Sequence, residues 1–384
     1  MRILFPVNHP FFLERGPDVR LVKTARALAE LGHRVTLMIG RTAPRAEVLA
    51  YYGVSDHPGL EMVQLPVLRR RRWPRLSWHG VFHLGCLFAL MWTRARARVD
   101  ILHLSDMKLA RFLLPYLDGG KARWVYEAHG LHCFGEPGRG FDLDPIEGAV
   151  FARMDHLVAT TRTLADILQH KCGLTRPVSV VPLATDIPDG GRTARPRRPG
   201  APRIFYVGQL YPLQGVDCFI EALAELPGVE GHIVGGQPGQ IASLRRVAQE
   251  CGVASRVTFY GFVRPADLSR LLVDADLFVL PARAQGKMPY VGHVKLYEYM
   301  AWGRPIVASD LPSVREDLRD GENGLLIPPE DPRGLAAAIR RAVEDAELAA
   351  RLGVRAREAA QQYTYLARAA RLVEVYQRVL SHRT

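Results

Sequence analysis

The chain has 384 residues and a formal net charge of +12, with 48% hydrophobic and 23% charged side chains. That balance is ordinary for a folded protein and excludes a disordered one, and the length suits two domains. A uniformly basic nucleic-acid coat is excluded too: residues 69–98 carry eight Arg and residues 192–198 four, neither stretch holds an acid, and without those twelve charges the chain is neutral.

Met1–Val7 is too short an apolar run for a signal peptide. Ile3–Val7 predicts a buried strand. Leu21, Ala25, Leu28 and Ala29 recur at helical spacing until Gly32 stops them, and Arg34–Ile39 predicts the next strand. The loop Asn8–Gly16 lacks Gly-x-Gly-x-x-Gly, which argues against a dinucleotide-binding start. Further strands are predicted at 61–65, 101–104, 123–127 and 178–181, with helices between. From Asp186 to Gly200 these patterns stop and Pro and Gly dominate, as in an interdomain linker. A second alternation begins with strand Arg203–Val207, helix Val216–Leu226, strand His232–Val234, helix Ile241–Cys251 and strand Val257–Tyr260. Helix Ala266–Val273, strand Leu277–Leu280 and helix Val294–Ala301 follow. Short strands fall at Pro305–Ala308 and Leu325–Ile327, and 331–381 is helical almost throughout. Such alternation in both halves implies two α/β domains with parallel sheets and a ligand site at the carboxyl ends of the strands, in the cleft between domains.

Five scattered cysteines without a Cys-x-x-Cys pair suit free thiols in a reducing compartment, and no cluster suggests a metal site. The longest low-charge apolar run, Trp78–Trp92, has fifteen residues, short of the roughly 18–20 that span a bilayer. A cytoplasmic protein, peripheral on the inner face of the membrane, is the expectation.

The densest chemistry lies at 290–310, Tyr-Val-Gly-His-Val-Lys-Leu-Tyr-Glu-Tyr-Met-Ala-Trp-Gly-Arg-Pro-Ile-Val-Ala-Ser-Asp. Gly292 and His293 precede a helix, whose free amides and dipole can hold a phosphate. Lys295 and Glu298 share one helix face. A cation beside phosphates and a carboxylate a turn further suit a nucleoside diphosphate. On an arbitrary helix the same spacing is a surface ion pair.

This run, continued by Arg315-Glu316 and Gly321-Glu322-Asn323-Gly324-Leu325-Leu326, resembles the donor half of retaining GT-B glycosyltransferases of family 4. Val207-Gly208-Gln209-Leu210, Gly215-Val216-Asp217, Val234-Gly235-Gly236, Val257–Gly261 and Asp276–Pro281 agree, in the family's order. So do Leu31–Thr36, Tyr126-Glu127-Ala128-His129 and Val181-Pro182 in the first half. The resemblance implies two Rossmann-like domains: residues 1–186 on the acceptor side, a linker at 187–201, a nucleotide-sugar donor domain at 202–364, and a final helix, 365–384, crossing back to the first domain. It implies no cofactor beyond the nucleotide-sugar substrate. Glu298 would bind the donor ribose. Gly292, His293 and Val294 would offer amides to the diphosphate, with Lys295 supporting the same phosphates. The loop around Phe262 and Val263 would read the base through backbone groups, and His129 would sit near the transferred sugar, with Glu127 supporting its loop. Gly16 would mark the acceptor-side loop; His33 reads as structural.

Three departures stand out. The first acid of the family's Glu-x7-Glu is Tyr290. The Arg and Lys that follow its first donor-domain strand are Gln209 and Gln214, beside Gly208. Loss of a cation at Gln214 would cost about 3–4 kcal/mol of leaving-group stabilisation, unless Lys295, Lys287 or Arg283 supplies it.

The Trp-bounded apolar run with Arg at both ends reads either as an interfacial anchor on anionic lipid or as a buried helix with solvated ends. Arg192–Arg198 reads as a solvated linker. Nucleic acid is disfavoured because only Trp73 and Trp78 lie near the basic residues. The resulting expectation is a metal-independent glycosyltransferase that moves a sugar from a nucleotide-diphosphate donor to a glycan or lipid-linked acceptor with retention. The alternative is a non-catalytic GT-B subunit that binds a partner or membrane. A sugar-nucleotide epimerase would need an acid/base carboxylate cluster, and none is evident.

Overall fold

A computed structural model of the chain describes residues 1–10, 17–41, 43–67, 78–96, 98–116, 122–131, 143–188 and 200–381. Gly16 and the Arg residues at 69–75 and 192–198 lie outside the described residues. The chain forms two compact units, Met1–Pro182 with Tyr365–Thr384, and Leu183–Thr364.

The first unit contains β1 (Arg2–Pro10), α1 (Pro17–Glu30), β2 (Arg34–Gly40), α2 (Arg45–Tyr51), β3 (Leu60–Leu65), α3 (Trp78–Arg96), β4 (Ile101–Leu104), α4 (Met107–Leu113), β5 (Arg123–Ala128), α5 (Pro145–Arg153), β6 (His156–Ala159), α6 (Arg162–Asp166) and β7 (Val178–Val180). The second contains β8 (Arg203–Val207), α7 (Val216–Ala224), β9 (Glu230–Val234), α8 (Pro238–Glu250), β10 (Val257–Gly261), α9 (Pro265–Leu272), β11 (Leu277–Leu280), α10 (Val294–Trp302), β12 (Ile306–Ser309), α11 (Pro312–Arg315), β13 (Leu325–Ile327), α12 (Pro332–Glu344) and α13 (Ala346–Ala360). The last helix, α14 (Tyr365–Ser381), belongs to the first unit.

The first unit holds a seven-stranded sheet in the order β3-β2-β1-β4-β5-β6-β7, and the second a six-stranded sheet in the order β10-β9-β8-β11-β12-β13. Every pairing between these strands is parallel. Parallel strands are covered on both faces, so they read as unbroken apolar runs. Accordingly β4, β6, β11 and β12 are buried at every position. In each sheet the winding direction reverses once, between β1 and β4 and between β8 and β11. Such switch points open a crevice at the carboxyl ends of the strands.

β6 is the element that periodicity alone does not reveal. His-Leu-Val-Ala is four residues long, fully buried, and carries no alternation. The change of unit also falls at Pro182–Leu183, before the expected boundary at 186. Arg368 of α14 hydrogen-bonds the carbonyls of Val181 and Pro182, whereas Thr185 bridges to Thr364 and its amide bonds the Tyr363 carbonyl. α14 packs on α1, with Ala369, Leu372, Val375, Tyr376 and Val379 in the same core as Leu21, Val22, Ala25 and Leu28.

Candidate active site

The second unit gathers its polar groups where β8 and β11 end. β8 runs into Gly208, whose φ of +147° and lack of a side chain both matter: a Cβ there would stand 3.0 Å from Lys295 Nζ. The chain then makes a tight turn at Gly215 (φ +66°), where a Cβ would overlap the Pro281 carbonyl after β11. These two glycines let the loops after the switch-point strands close on each other, and the Arg283 amide completes the join on the Leu213 carbonyl at 3.0 Å.

Lys295, in the first turn of α10, points into this corner. Its Nζ donates to Tyr206 Oη at 2.8 Å and to Gln214 Oε1, and it stands 4.5 Å over the Tyr206 ring. Tyr206 in turn donates to the Gln209 carbonyl at 2.6 Å. Both partners of the ammonium are therefore neutral. Burial pushes the Lys295 pKa down to about 7, and Glu298 only partly opposes it. The residue keeps part of its solvent access. Gln214 thus takes up the free end of Lys295 where a second ammonium would repel it.

α10 begins without a side-chain cap. Among the described residues no acceptor meets the amides of Gly292, His293 and Val294. Open amides at a helix start, beside an ammonium, suit an anion. The His293 ring is buried, and burial together with Lys295 pushes it down to about 4, so it is neutral. Its Nε2–H braces the preceding loop through the Met288 carbonyl at 3.2 Å. Tyr299 pins the helix to β8: its hydroxyl accepts the Val207 amide at 2.8 Å and lies 3.2 Å from the Val207 carbonyl. Glu298 lies half-buried one turn beyond Lys295.

Other expected residues are placed differently. Arg283 is not available to phosphates: it binds Asp217, Glu330 at 3.0 Å and the Pro212 carbonyl at 3.1 Å. Lys287 is exposed. Tyr290 is buried in the core, so its position offers no carboxylate and no open side chain. Phe262 is exposed and Val263 half-buried just after β10.

In the first unit His129 follows β5, one strand from the β1/β4 switch point. Its Nε2 lies 3.0 Å from Glu127 Oε1, close enough to feel the charge, although the angle is poor for a hydrogen bond. Its Nδ1 lies 3.3 Å from Arg20 Nη1. Burial, then Arg20, push the ring down to about 4 against the pull of Glu127, although 27% of the side chain is exposed. Burial alone would raise the Glu127 pKa, but Arg368, His129 and His103 outweigh it and hold the carboxyl well below the usual range. Tyr206, Arg20, His103 and Arg368 carried no signal in the sequence, because their partners lie far away along the chain.

The match to known proteins follows this layout. Residues 15–187 match the model of Glycosyltransferase Family 4, and residues 201–345 that of Glycosyl transferases group 1. A D-inositol 3-phosphate glycosyltransferase of Xylanimonas cellulosilytica is 30% identical over 407 residues, covering 96% of this chain and 93% of that protein. The chain belongs to glycosyltransferase family 4. Another family-4 relative with the same description, from Nocardia farcinica, is 31% identical over 252 residues, 61% of this chain and 55% of that protein. In fold, this family-4 enzyme resembles Anabaena Alr3699/HepE, solved in complex with UDP-glucose. The TM-score is 0.76 at 18% identity, with 98% of this chain and 100% of that one covered. Its fold is therefore GT-B, with two Rossmann-like parallel-sheet units.

Proposed function

We propose that this glycosyltransferase moves a sugar from a nucleoside-diphosphate sugar to a hydroxyl of a glycan or lipid-linked acceptor, with retention at the anomeric carbon and no metal. One observation carries the reading: Lys295, held between neutral partners, adjoins the open amides of Gly292, His293 and Val294. In the reaction the bond from C1 to the diphosphate oxygen breaks. The acceptor oxygen bonds C1 on the same face, and its proton passes to the leaving phosphate. Charge grows on that phosphate, and preorganised amides with one ammonium stabilise it. Glu298 accepts the ribose hydroxyls, and His129 borders the transferred sugar. Alr3699/HepE was solved with UDP-glucose, which makes that the first donor to try. The Xylanimonas relative's description makes D-inositol 3-phosphate an acceptor to include. A donor screen that follows nucleoside diphosphate release tests the reading, with Glu298→Ala expected to abolish it. If neither UDP nor GDP binds at millimolar concentration in calorimetry, the non-catalytic alternative replaces it.

We also propose that α3 rests on an anionic membrane surface at the cytoplasmic face. Leu84, Phe88, Met91 and Trp92 are 48, 67, 58 and 60% exposed along one face, while Phe82, Cys86 and Leu90 are buried on the other. No helix among the described residues is long and apolar enough to cross a membrane. The eight Arg of 69–98 supply the complementary charge, at about 1 kcal/mol for each one near anionic lipid. The protein is expected to sediment with phosphatidylglycerol vesicles and not with pure phosphatidylcholine. The double variant Phe88→Glu, Trp92→Glu is expected to stay in solution, and binding indifferent to lipid charge overturns the proposal.

A further inference from the structure

The buried face of α14 is apolar except at two residues, Arg368 and Tyr376, which are 2% and 0% exposed. A buried guanidinium is tolerated only when its charge is paired; here the two Nη groups are, while Nε has no hydrogen-bond partner among the described residues. Arg368 places Nη2 on Glu127 Oε2 at 2.5 Å, and Nη1 on the carbonyls of Val181 and Pro182 at 3.0 and 2.5 Å. The same carboxylate oxygen lies 3.1 Å from His103 Nε2, and His103 Nδ1 lies 2.9 Å from Tyr376 Oη.

The protonation states follow from this geometry. Arg368 pairs with an ionised Glu127, which His129 and His103 also hold in that form. The carboxylate then requires a proton on His103 Nε2, which leaves Nδ1 to accept the Tyr376 hydroxyl. The second carboxylate oxygen faces His129 Nε2, while His129 Nδ1 meets Arg20, a donor. That selects the neutral His129 ring with its proton on Nε2.

We propose that Arg368 and Tyr376 are positioning residues for His129, acting from the C-terminal helix through Glu127 and His103. The proposal rests on the reading of His129 as a group beside the transferred sugar. Among the described residues, the charged and titratable groups that face the ring or join it through Glu127 are Arg20 from α1, His103 from β4, Glu127 from β5, and Arg368 and Tyr376 from α14. Two guanidinium groups against one carboxylate oppose protonation of the ring. Without Arg368 the carboxylate balances Arg20 alone, and the ring takes a proton at a higher pH.

NMR titration of the His129 ring in the full chain, alongside the pH profile of kcat, tests this. In Arg368→Met the titration midpoint is expected to rise by about one pH unit or more. The acid limb of kcat should move with it while the donor KM stays within about twofold. Arg368→Lys should restore both, and Tyr376→Phe should shift them less. If Arg368→Met fails to fold, the double variant Glu127→Gln, Arg368→Met removes both buried charges. Its His129 midpoint should stay as low as that of the wild type, and a rise there would overturn the proposal. A folded Arg368→Met protein with unchanged titration and pH profile overturns it as well. Full activity of His129→Ala would instead sink the sugar-site reading, while leaving the NMR shift as an independent test of the clamp.

Discussion

Replacing Lys295 by Met should make the protein more stable and a worse binder of nucleotide. The ammonium sits among neutral partners, and burial lowers its pKa from the usual lysine range to about 7. Each tenfold change in acidity corresponds to about 1.4 kcal/mol. Because the residue keeps some solvent access, we discount the full sum to roughly 2–3 kcal/mol of penalty at neutral pH and below. A methionine of similar length removes that penalty but also forfeits the contacts to Tyr206 and Gln214, about 1–2 kcal/mol together. The net expectation is a gain of about 1 kcal/mol. On the proposed reading the diphosphate loses a cation, which should cost about 100- to 1,000-fold in turnover. Chemical denaturation at pH 7 reads the first effect, and UDP and GDP calorimetry with turnover assays reads the second. Lower stability together with nucleotide affinity within twofold of wild type would refute the reasoning.

The remaining expectations concern the same corner and its support. A lysine whose folded pKa is depressed binds fewer protons in the folded than in the unfolded state between pH 7 and 10.5. Stability should therefore climb across that window as pH rises, and denaturation at pH 7 and 9 in the wild type and Lys295→Met would show whether the slope depends on this residue. Nucleotide binding should take up a proton at pH 8, seen as a calorimetric enthalpy that varies with the ionisation heat of the buffer. Gln214→Lys, which restores the residue usual in the family, should fail to raise UDP affinity, because two ammonium groups at hydrogen-bond distance repel by several kcal/mol; tenfold tighter binding would contradict this. Tyr299→Phe should cost about 1–3 kcal/mol in denaturation experiments, because it strands the buried Val207 amide.

Local patterns carried the order of elements further than they carried the chemistry. β8, β11 and β13 fall where the apolar runs predict them, because buried parallel strands are defined by such runs. β6 was not read, although β4, β11 and β12 are equally short and buried; its His-Leu-Val-Ala follows the apolar end of α5 with no Gly or Pro between to mark a new element. Within the site, Lys295 and Glu298 were legible because one helix face presents them both. The role of Tyr206 was not, since 89 residues separate it from Lys295. Arg283 shows the opposite failure: as a sequence feature it is a cation near a phosphate site, but Asp217 and Glu330 already hold it. Arg368, 241 residues from Glu127, was missed for the same reason as Tyr206.

That separation also orders events during synthesis. The second unit is one continuous stretch, Leu183–Thr364, whereas the first is assembled from the two ends of the chain. A ribosome therefore releases the whole second unit while the first unit still lacks α14, and until then Glu127 lacks the Arg368 guanidinium. A chain broken off between Thr364 and Arg368 keeps every group around Lys295 and loses the clamp behind His129.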